Sequence, residues 1–367
     1  MRTLIIHNEL EYYAGAERVL VNYVRGLCAV GEAPTLMAVA GTRVFKELAE
    51  LTEVLPLTAN QPFSIGNYWR QVREVCAQVN DHETTILHGW AARDWELTAA
   101  AGLLTHSPTV GTLHDHPEAD FISGGRRRLM RLAARGLDRI VCVSQAVERA
   151  CVEAGYRADR LVTIHNGLET GQASAARSGS VLQMGFLGAF SRRKGLETLF
   201  ALLANFAQRA TGRWELQLAG DAQNEEGRRL WETVQERHCT APWWKRVKQV
   251  GWTDDPTKFL SGLDLLLFSS CDFDPLPTVL LESGQCGTPV FASEVGGVSE
   301  IVSDGVNGWS FEPWEIGAAA KRLAELTKDR KLLRSMRTGA AEHISRNFSL
   351  GKMIEQYQRI YSTLARP

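Results

Sequence analysis

The sequence predicts an α/β chain of two doubly wound, Rossmann-like domains with parallel sheets, and three observations lead there. Short apolar runs alternate with segments of helical period, the pattern of parallel strands joined by crossover helices. This alternation runs twice, before and after a small polar stretch, residues 170–180, that is poor in large apolar side chains and reads as an interdomain linker. The 367 residues also exceed what one hydrophobic core usually serves, so two domains of roughly 150–200 residues each are expected.

In the first half the strand candidates are 3–7, 35–39, 85–88, 109–113, 139–143 and 161–164, separated by helix candidates near 16–29, 67–79, 94–104, 124–135 and 145–154. After the linker come strand 181–187, helix 196–209, strand 214–219, helix 225–237, strand 247–250, helix 255–261, strand 263–268 and helix 277–286. Leu196, Leu199, Phe200 and Leu203 recur at i, i+3, i+4 and i+7, which gives that helix one apolar stripe for a sheet. Helical segments 314–326, 329–345 and 350–364 close the chain. The expected domains are therefore 1–169 and 181–345, joined by the linker 170–180, with a C-terminal helix in 346–367 packing back on the first domain.

Composition narrows the class. With 44% hydrophobic and 23% charged residues the chain is an ordinary globular one. Its 41 basic and 42 acidic residues leave a net charge of -1, so the bulk attraction of a nucleic-acid binder is missing and no nucleic-acid partner is expected. Seven cysteines, an odd number with no C-x-x-C pair, argue against both a disulfide framework and a structural zinc site. The opening apolar run is too short for a signal-peptide core and reads as a first strand, and no stretch approaches the roughly 18 apolar residues of a membrane span. A cytoplasmic chain is expected, attached at most to the inner face of a membrane.

The stretch D-F-D-P-L-P-T-V-L-L-E-S-G-Q-C-G-T-P-V, from Asp272 to Val290, follows a strong strand and opens a helix. Such a loop is where doubly wound sheets bind ligands, because helix amides point outward there with positive dipole character. Pro277 suits the first helical position, leaving the amides of Thr278 and Val279 to face an anion, and Glu282 lies one turn on, on the face of Thr278, where it can accept from ribose hydroxyls. A second stretch, G-A-F-S-R-R-K-G from Gly188 to Gly195, joins a strand to an amphipathic helix. Its glycines allow close backbone approach, and Arg192, Arg193 and Lys194 can neutralise charge growing on a departing phosphate.

Together these stretches resemble the retaining family 4 glycosyltransferases of the GT-B fold. The family's acidic residue, seven residues, then Glu and a Thr-Pro-Val turn are similar to Asp274, Glu282 and Thr288-Pro289-Val290, and its glycine-to-lysine loop resembles Gly188 to Lys194-Gly195. In the first half, Y-A-G-A-E-R-V-L from Tyr13 to Leu20 resembles the family's Gly-Gly-Ala-Glu loop, and G-T-L-H-D-H from Gly111 to His116 the strand end with its active-site histidine. The resemblance implies two Rossmann-like domains facing across a cleft, and transfer of a sugar from a nucleotide-diphosphate donor to a saccharide or lipid-linked acceptor, as in surface polysaccharide or glycoconjugate synthesis. It implies catalytic roles for His114, Asp274 and Lys194. Donor-binding roles fall to Gly15, Gly188, Arg192, Arg193, Lys194, Gly251, Trp252, Leu276, Pro277, Thr278, Val279 and Glu282, with the base near Gly251 and Trp252. It implies no cofactor and no metal.

Two positions depart from the family pattern. Asp274 stands where Glu is typical, a reach shorter by about 1.5 Å. Ala189 replaces the arginine after the loop glycine, a charge that Arg192 or Arg193 could supply or that leaves Lys194 alone. A sugar-nucleotide epimerase of the same fold and a non-catalytic nucleotide-sugar-binding partner subunit stay open beside the transferase. His114 and His116 form an H-x-H pair, but spacing offers no third metal ligand. Arg126, Arg127, Arg128, Arg131 and Arg135 cluster on one predicted helix, with 128, 131 and 135 on one face and Leu129 and Leu132 on another. That helix reads either as a solvated face or as one that lies on anionic lipid.

Overall fold

Strand β1 (Arg2–His7) lies inside a seven-stranded parallel sheet, third from one edge, and its composition suits that place: apolar on both faces, it can be covered by helices on each side. A computed structural model describes residues 1–10, 14–61, 63–79, 83–120, 122–169, 171 and 179–365. Contacts divide the chain into two units, Met1–Glu169 with Ser349–Pro367 and Thr170–Phe348. Most of the expected linker lies outside the described residues.

In the first unit β1 is followed by α1 (Gly15–Ala29), β2 (Thr35–Val39), α2 (Arg43–Ala49), β3 (Val54–Leu57), α3 (Ile65–Cys76), β4 (Thr85–Gly89), α4 (Trp95–Thr105), β5 (Thr109–Leu113), α5 (Gly124–Ala134), β6 (Arg139–Cys142), α6 (Gln145–Glu153) and β7 (Leu161–Thr163). The sheet order is β3-β2-β1-β4-β5-β6-β7, all parallel. Alternation along β1 divides the core. Ile5 packs with Val24 and Leu27 of α1, while Leu4 and Ile6 pack with Val72 and Val75 of α3 and Leu97 of α4. Helix α2 and strand β3 escape the sequence pattern because each is under eight residues and β3 carries Pro56, tolerated because β3 is the sheet edge.

The C-terminal helix α14 (Leu350–Leu364) belongs to this first core, to which it adds Leu350, Met353, Ile354, Tyr357 and Tyr361. It is tied in by polar contacts as well. The buried His88 ring meets the Tyr361 hydroxyl at 2.7 Å and Thr112 Oγ1 at 2.8 Å, and Thr112 meets the Tyr357 hydroxyl at 3.0 Å.

The second unit runs β8 (Leu182–Leu187), α7 (Leu196–Ala207), β9 (Trp214–Ala219), α8 (Glu225–His238), β10 (Val247–Gly251), α9 (Pro256–Ser261), β11 (Leu265–Phe268), α10 (Thr278–Gln285), β12 (Val290–Ser293), α11 (Val298–Ile301), β13 (Gly308–Phe311), α12 (Ile316–Lys328) and α13 (Arg330–Asn347). Its sheet is six-stranded and parallel in the order β10-β9-β8-β11-β12-β13. The stripe expected on α7 is buried against this sheet through Leu196, Leu199, Phe200 and Leu203. Strands β12 and β13 are four residues each and lie among glycines, which is why periodicity alone misses them.

Burial pushes the His88 pKa down to about 3 from an ordinary 6.5. The unfolded chain therefore takes up a proton near pH 6.5 that the folded chain refuses, and stability falls as pH drops through this window by about 1.4 kcal/mol per pH unit. His88→Gln is expected to lower the urea midpoint at pH 8 yet give a flatter decline between pH 6.5 and 4.5. An unchanged acid slope in the variant would show that His88 does not set it.

Candidate functional site

The order of the second sheet reverses between β8 and β11, so the loops at their C-terminal ends diverge and leave a crevice. The basic loop and the acidic loop singled out from the sequence both end here. They are stapled to each other by backbone. Gly195 has φ +66°, and a Cβ on it would lie 1.7 Å from the Ser269 carbonyl oxygen, so only glycine permits the approach. Around it the Cys271 amide donates to the Arg193 carbonyl at 3.2 Å and Ser269 Oγ to the Lys194 carbonyl at 3.2 Å.

With its backbone held, Lys194 places Nζ 2.6 Å from Asp274 Oδ2 and 5.8 Å from the centre of the Phe268 ring. The carboxylate is the more enclosed partner, at 8% exposure against 24% for the lysine side chain. Asp274 is fixed from behind: the Gly297 amide donates to its carbonyl at 2.9 Å, and Gly296, at φ +56°, would bring a Cβ within 2.0 Å of that oxygen. Two residues expected to meet different parts of a ligand thus form one ion pair.

Helix α10 starts beside this pair. Pro277 is its N-cap, with φ -65° and ψ 107°, one position earlier than the sequence reading put it; the extended ψ keeps the Leu276-Pro277 segment in the loop. The first turn closes when the Leu280 amide donates to the Pro277 carbonyl at 3.0 Å. Thr278, Val279 and Glu282 are half-exposed on one face, while Leu280, Leu281, Ser283 and Gly284 are buried on the other. Leu276, expected at the ligand, is buried, so its side chain serves packing.

The glycine ends of the neighbouring strands line up next to β8. Gly220 donates its amide to the Gly251 carbonyl at 2.8 Å, and a Cβ on Gly220 would lie 2.0 Å from the Gly188 carbonyl oxygen. Just past Gly251, Trp252 is 69% exposed, its Nε1 donating to Asp254 Oδ1 at 3.0 Å. Arg192 is directed to Glu226 at 3.6 Å, both well exposed, and Arg193 is exposed as well. Arg192 is therefore engaged on the α8 side rather than with the Lys194–Asp274 pair.

In the first unit His114 follows β5. Its Nε2 lies 3.1 Å from the Trp90 carbonyl and its ring 5.4 Å from that of Trp90, and burial lowers its pKa to about 4, so it is neutral at pH 7. His116 Nδ1 accepts from the Glu118 amide at 3.1 Å, which gives the H-x-H pair separate partners. Gly15 opens α1, but the Glu17 carboxylate already accepts the Ala14 amide at 2.9 Å there, an occupant unfavourable to a phosphate at that helix start. Tyr13 lies outside the described residues.

Sequence reasoning missed a cluster at this end of the first sheet. Neither ring nitrogen of the buried His7 has a hydrogen-bond partner among the described residues; each lies 3.9 Å from a carboxylate, Nε2 from Glu17 and Nδ1 from Asp94. Burial holds His7 at a pKa of about 3 and raises Asp94 to about 7. No spacing rule joins positions 7, 17 and 94; the β1–β4 pairing brings up the segment that carries Asp94, and α1 carries Glu17.

The arginine helix also differs from expectation. Arg126 pairs with Glu96, Arg127 donates to the Ala119 carbonyl at 2.9 Å, and Arg131 reaches Glu118 at 3.5 Å and the Ala154 carbonyl at 3.4 Å, so three of the five cations have partners within the protein. Arg128, Arg131 and Arg135 are exposed, and so are Leu129 and Leu132, since α5 buries Met130, Ala133 and Ala134 instead. No helix among the described residues is long and apolar enough to cross a membrane.

Residues 13–172 match the family model described as Glycosyltransferase Family 4, and residues 173–343 match that described as Glycosyl transferases group 1. N-acetyl-alpha-D-glucosaminyl L-malate synthase of Bacillus anthracis is 32% identical over 33% of this chain and 32% of its own. Lipopolysaccharide core biosynthesis glycosyltransferase LpsE of Rhizobium meliloti is 27% identical over 62% of this chain and 65% of its own. The matches thus span between a third and just under two thirds of these relatives. The crystal structure of Anabaena Alr3699/HepE in complex with UDP and glucose superposes with a TM-score of 0.83 at 21% identity, covering 99% of this chain and 100% of that one, which establishes a shared fold.

Gly195→Ala is expected to cost at least about 1–3 kcal/mol through its positive φ, with a further cost from displacing Ser269. Gly317→Ala, on an α12 position where a Cβ meets nothing within 4 Å, is the control and leaves thermal stability unchanged or slightly raised. Equal melting temperatures for the two variants would show that the two loops are not pinned as described.

Proposed function

We propose that this chain, which belongs to the family 4 glycosyltransferases of the GT-B fold, is a retaining hexosyltransferase whose second unit holds a nucleotide-diphosphate sugar. One observation carries the reading: the Lys194–Asp274 pair lies at the switch point of the second sheet, beside the start of α10. The diphosphate would accept from Lys194 Nζ and from the amides of Thr278 and Val279. Glu282, one turn along the same helix face, would take the ribose hydroxyls, and Trp252 would offer its exposed ring to the base at the end of β10.

The ion pair suits this chemistry. A lone ammonium beside Phe268 would pay for desolvation before any ligand arrives; Asp274 offsets that cost in the free state. Once the diphosphate takes over Lys194, the carboxylate is released to accept hydrogen bonds from the donor sugar. As the phosphate departs, its charge grows, and the ammonium and helix amides bind it more strongly than the ground state, which lowers the barrier. The family resemblance assigns His114 to the active site; held neutral, it can hydrogen-bond a sugar hydroxyl without adding charge. It also implies retention at the anomeric carbon and no metal, with the departing phosphate available to receive the acceptor's proton. The acceptor is proposed to be a saccharide or lipid-linked saccharide of a surface glycoconjugate, met at an anionic membrane through α5.

UDP is the first nucleotide to test, alongside GDP, ADP and dTDP, since the structural neighbour holds UDP. Calorimetry is expected to show one nucleotide preferred, with Lys194→Ala and Glu282→Ala each weakening it about ten-fold or more, on the scale of a charge-assisted hydrogen bond. Unchanged affinity in both variants would remove the site. Asp274→Asn is expected to lower kcat far more than nucleotide affinity, and EDTA to leave the rate unchanged. Nucleotide release that needs an acceptor, with an α-linked product from an α-linked donor by NMR, identifies the retaining transferase; donor isomerisation without acceptor would identify an epimerase instead.

A further inference from the structure

We propose that Trp90 is a positioning residue for the transferred sugar: its carbonyl takes the Nε2 proton of His114, which leaves Nδ1 as a hydrogen-bond acceptor for a sugar hydroxyl. The proposal rests on the placement of His114 at the sugar under the proposed function and deepens it, giving that contact a direction and a support.

The direction follows from the contact itself. His114 Nε2 lies 3.1 Å from the Trp90 carbonyl oxygen, and a carbonyl can only accept. Burial keeps the imidazole neutral at pH 7, so its single ring proton sits on Nε2 and Nδ1 carries a lone pair. Nδ1 has no hydrogen-bond partner among the described residues, and the side chain is half-buried, so part of the ring stays open to a ligand.

The support comes from the way Trp90 is held. It follows β4 and is fully buried; its amide donates to the Ile6 carbonyl of β1 at 3.0 Å, and its indole Nε1 to the Ala16 carbonyl in the first turn of α1 at 3.0 Å. Its ring lies against four others: Tyr23 at 5.4 Å between centroids and stacked at 22°, His88 and His114 each at 5.4 Å, and Tyr357 at 6.2 Å. An indole gripped on these sides sets the direction of its own carbonyl, and the same ring limits the tilt of the imidazole packed on it. The other end of the contact is seated too. Trp95 Nε1 donates to the Thr112 carbonyl at 3.2 Å, two residues before His114, and a Cβ on Gly111 would lie 2.5 Å from that nitrogen, so the end of β5 rests closely on this second indole.

The choice of nitrogen decides what the ring attracts. A bare Nδ1 accepts from a hydroxyl, which has a hydrogen to give, and repels the oxygens of an ionised phosphate, which present only lone pairs. With the proton on Nδ1 the ring would attract phosphate and hydroxyl alike. The Trp90 contact therefore makes His114 selective for the sugar of a nucleotide sugar over its diphosphate. Packing alone asks only for a large apolar ring at position 90 and leaves the imidazole proton free to sit on either nitrogen.

The test reads the tautomer directly. Long-range proton–nitrogen correlation spectra of the full chain, labelled on histidine nitrogen, separate a protonated from a bare ring nitrogen, and His114→Gln identifies the His114 signals by their loss. Expected at pH 7 is a single tautomer with the proton on Nε2. UDP-glucose as probe is expected to move the Nδ1 signal toward the protonated side, whereas UDP leaves it in place. In calorimetry His114→Gln should weaken UDP-glucose by about two- to ten-fold, the range of one hydrogen bond, with UDP unaffected. Trp90→Phe keeps a ring in the column and should retain both the His114 spectrum and its response to UDP-glucose. Trp90→Leu, with UDP affinity kept, should show the averaged shifts of two tautomers and lose that response; the wild-type spectrum decides the tautomer even if this variant does not fold. A proton on Nδ1, a His114 spectrum unchanged in Trp90→Leu, or equal Nδ1 shifts with bound UDP and bound UDP-glucose would overturn the proposal. Failure of UDP itself to bind would count against the donor site instead, and the tautomer of the free chain is read without it.

Discussion

The contact between Lys194 and Asp274 is the constraint around which the second unit is arranged. An ammonium and a carboxylate this enclosed are costly unless each meets the other, and they can meet only if loops from β8 and β11 converge within a few ångströms. Glycines make that convergence possible. Gly195 admits the Ser269 carbonyl, Gly296 admits the carbonyl of Asp274 itself, and both sit at positive φ. The charge pair is therefore positioned by backbone, before any side-chain rotamer is chosen.

The first unit solves a different problem. Its sheet ends carry His7, His88 and His114 in surroundings that hold all three well below their ordinary pKa values. Burial dominates each case, so at neutral pH the imidazoles offer hydrogen bonds and ring surface without charge. His88 spends these on Thr112 and Tyr361 and so locks α14 to the sheet, while His114 leans on Trp90. Asp94 moves the other way, to about 7, although it accepts the amides of Asn8 and Ala91 at 2.8 Å each.

Much of the fold was legible because parallel strands buried on both sides leave continuous apolar runs, and crossover helices leave a 3.6-residue stripe. β1, β8, β11 and α7 announce themselves in this way. The elements α2, β3, β12 and β13 do not: α2 is a helix of only two turns, β3 carries a proline, and β12 and β13 lie among glycine- and proline-rich turns that interrupt the apolar run. The site was legible as residue types, since a glycine-basic loop and an acidic-helix loop after strands point to an anion. Its connectivity was not, because residues 194 and 274 are brought together by strand order, which no local pattern encodes.

The α5 leucines make the same point from the other side. Leu129 and Leu132 were separable from the arginines on a helical wheel, yet which stripe faces the sheet depends on the helix's rotation, and that is set by Met130, Ala133 and Ala134 fitting the space available. The sequence by itself determined the fold class, the family and the chemical character of the two loops after β8 and β11, because these rest on periodicity, motif spacing and residue chemistry, all local quantities. Tertiary structure alone decided that Lys194 pairs with Asp274, that Leu276 is buried, that Arg126 and Arg127 are committed, and that His7 lies between two carboxylates without a hydrogen-bond partner among the described residues. Each of these depends on distances between residues far apart in the chain, and such distances exist only once the sheets have been ordered and the helices laid on them.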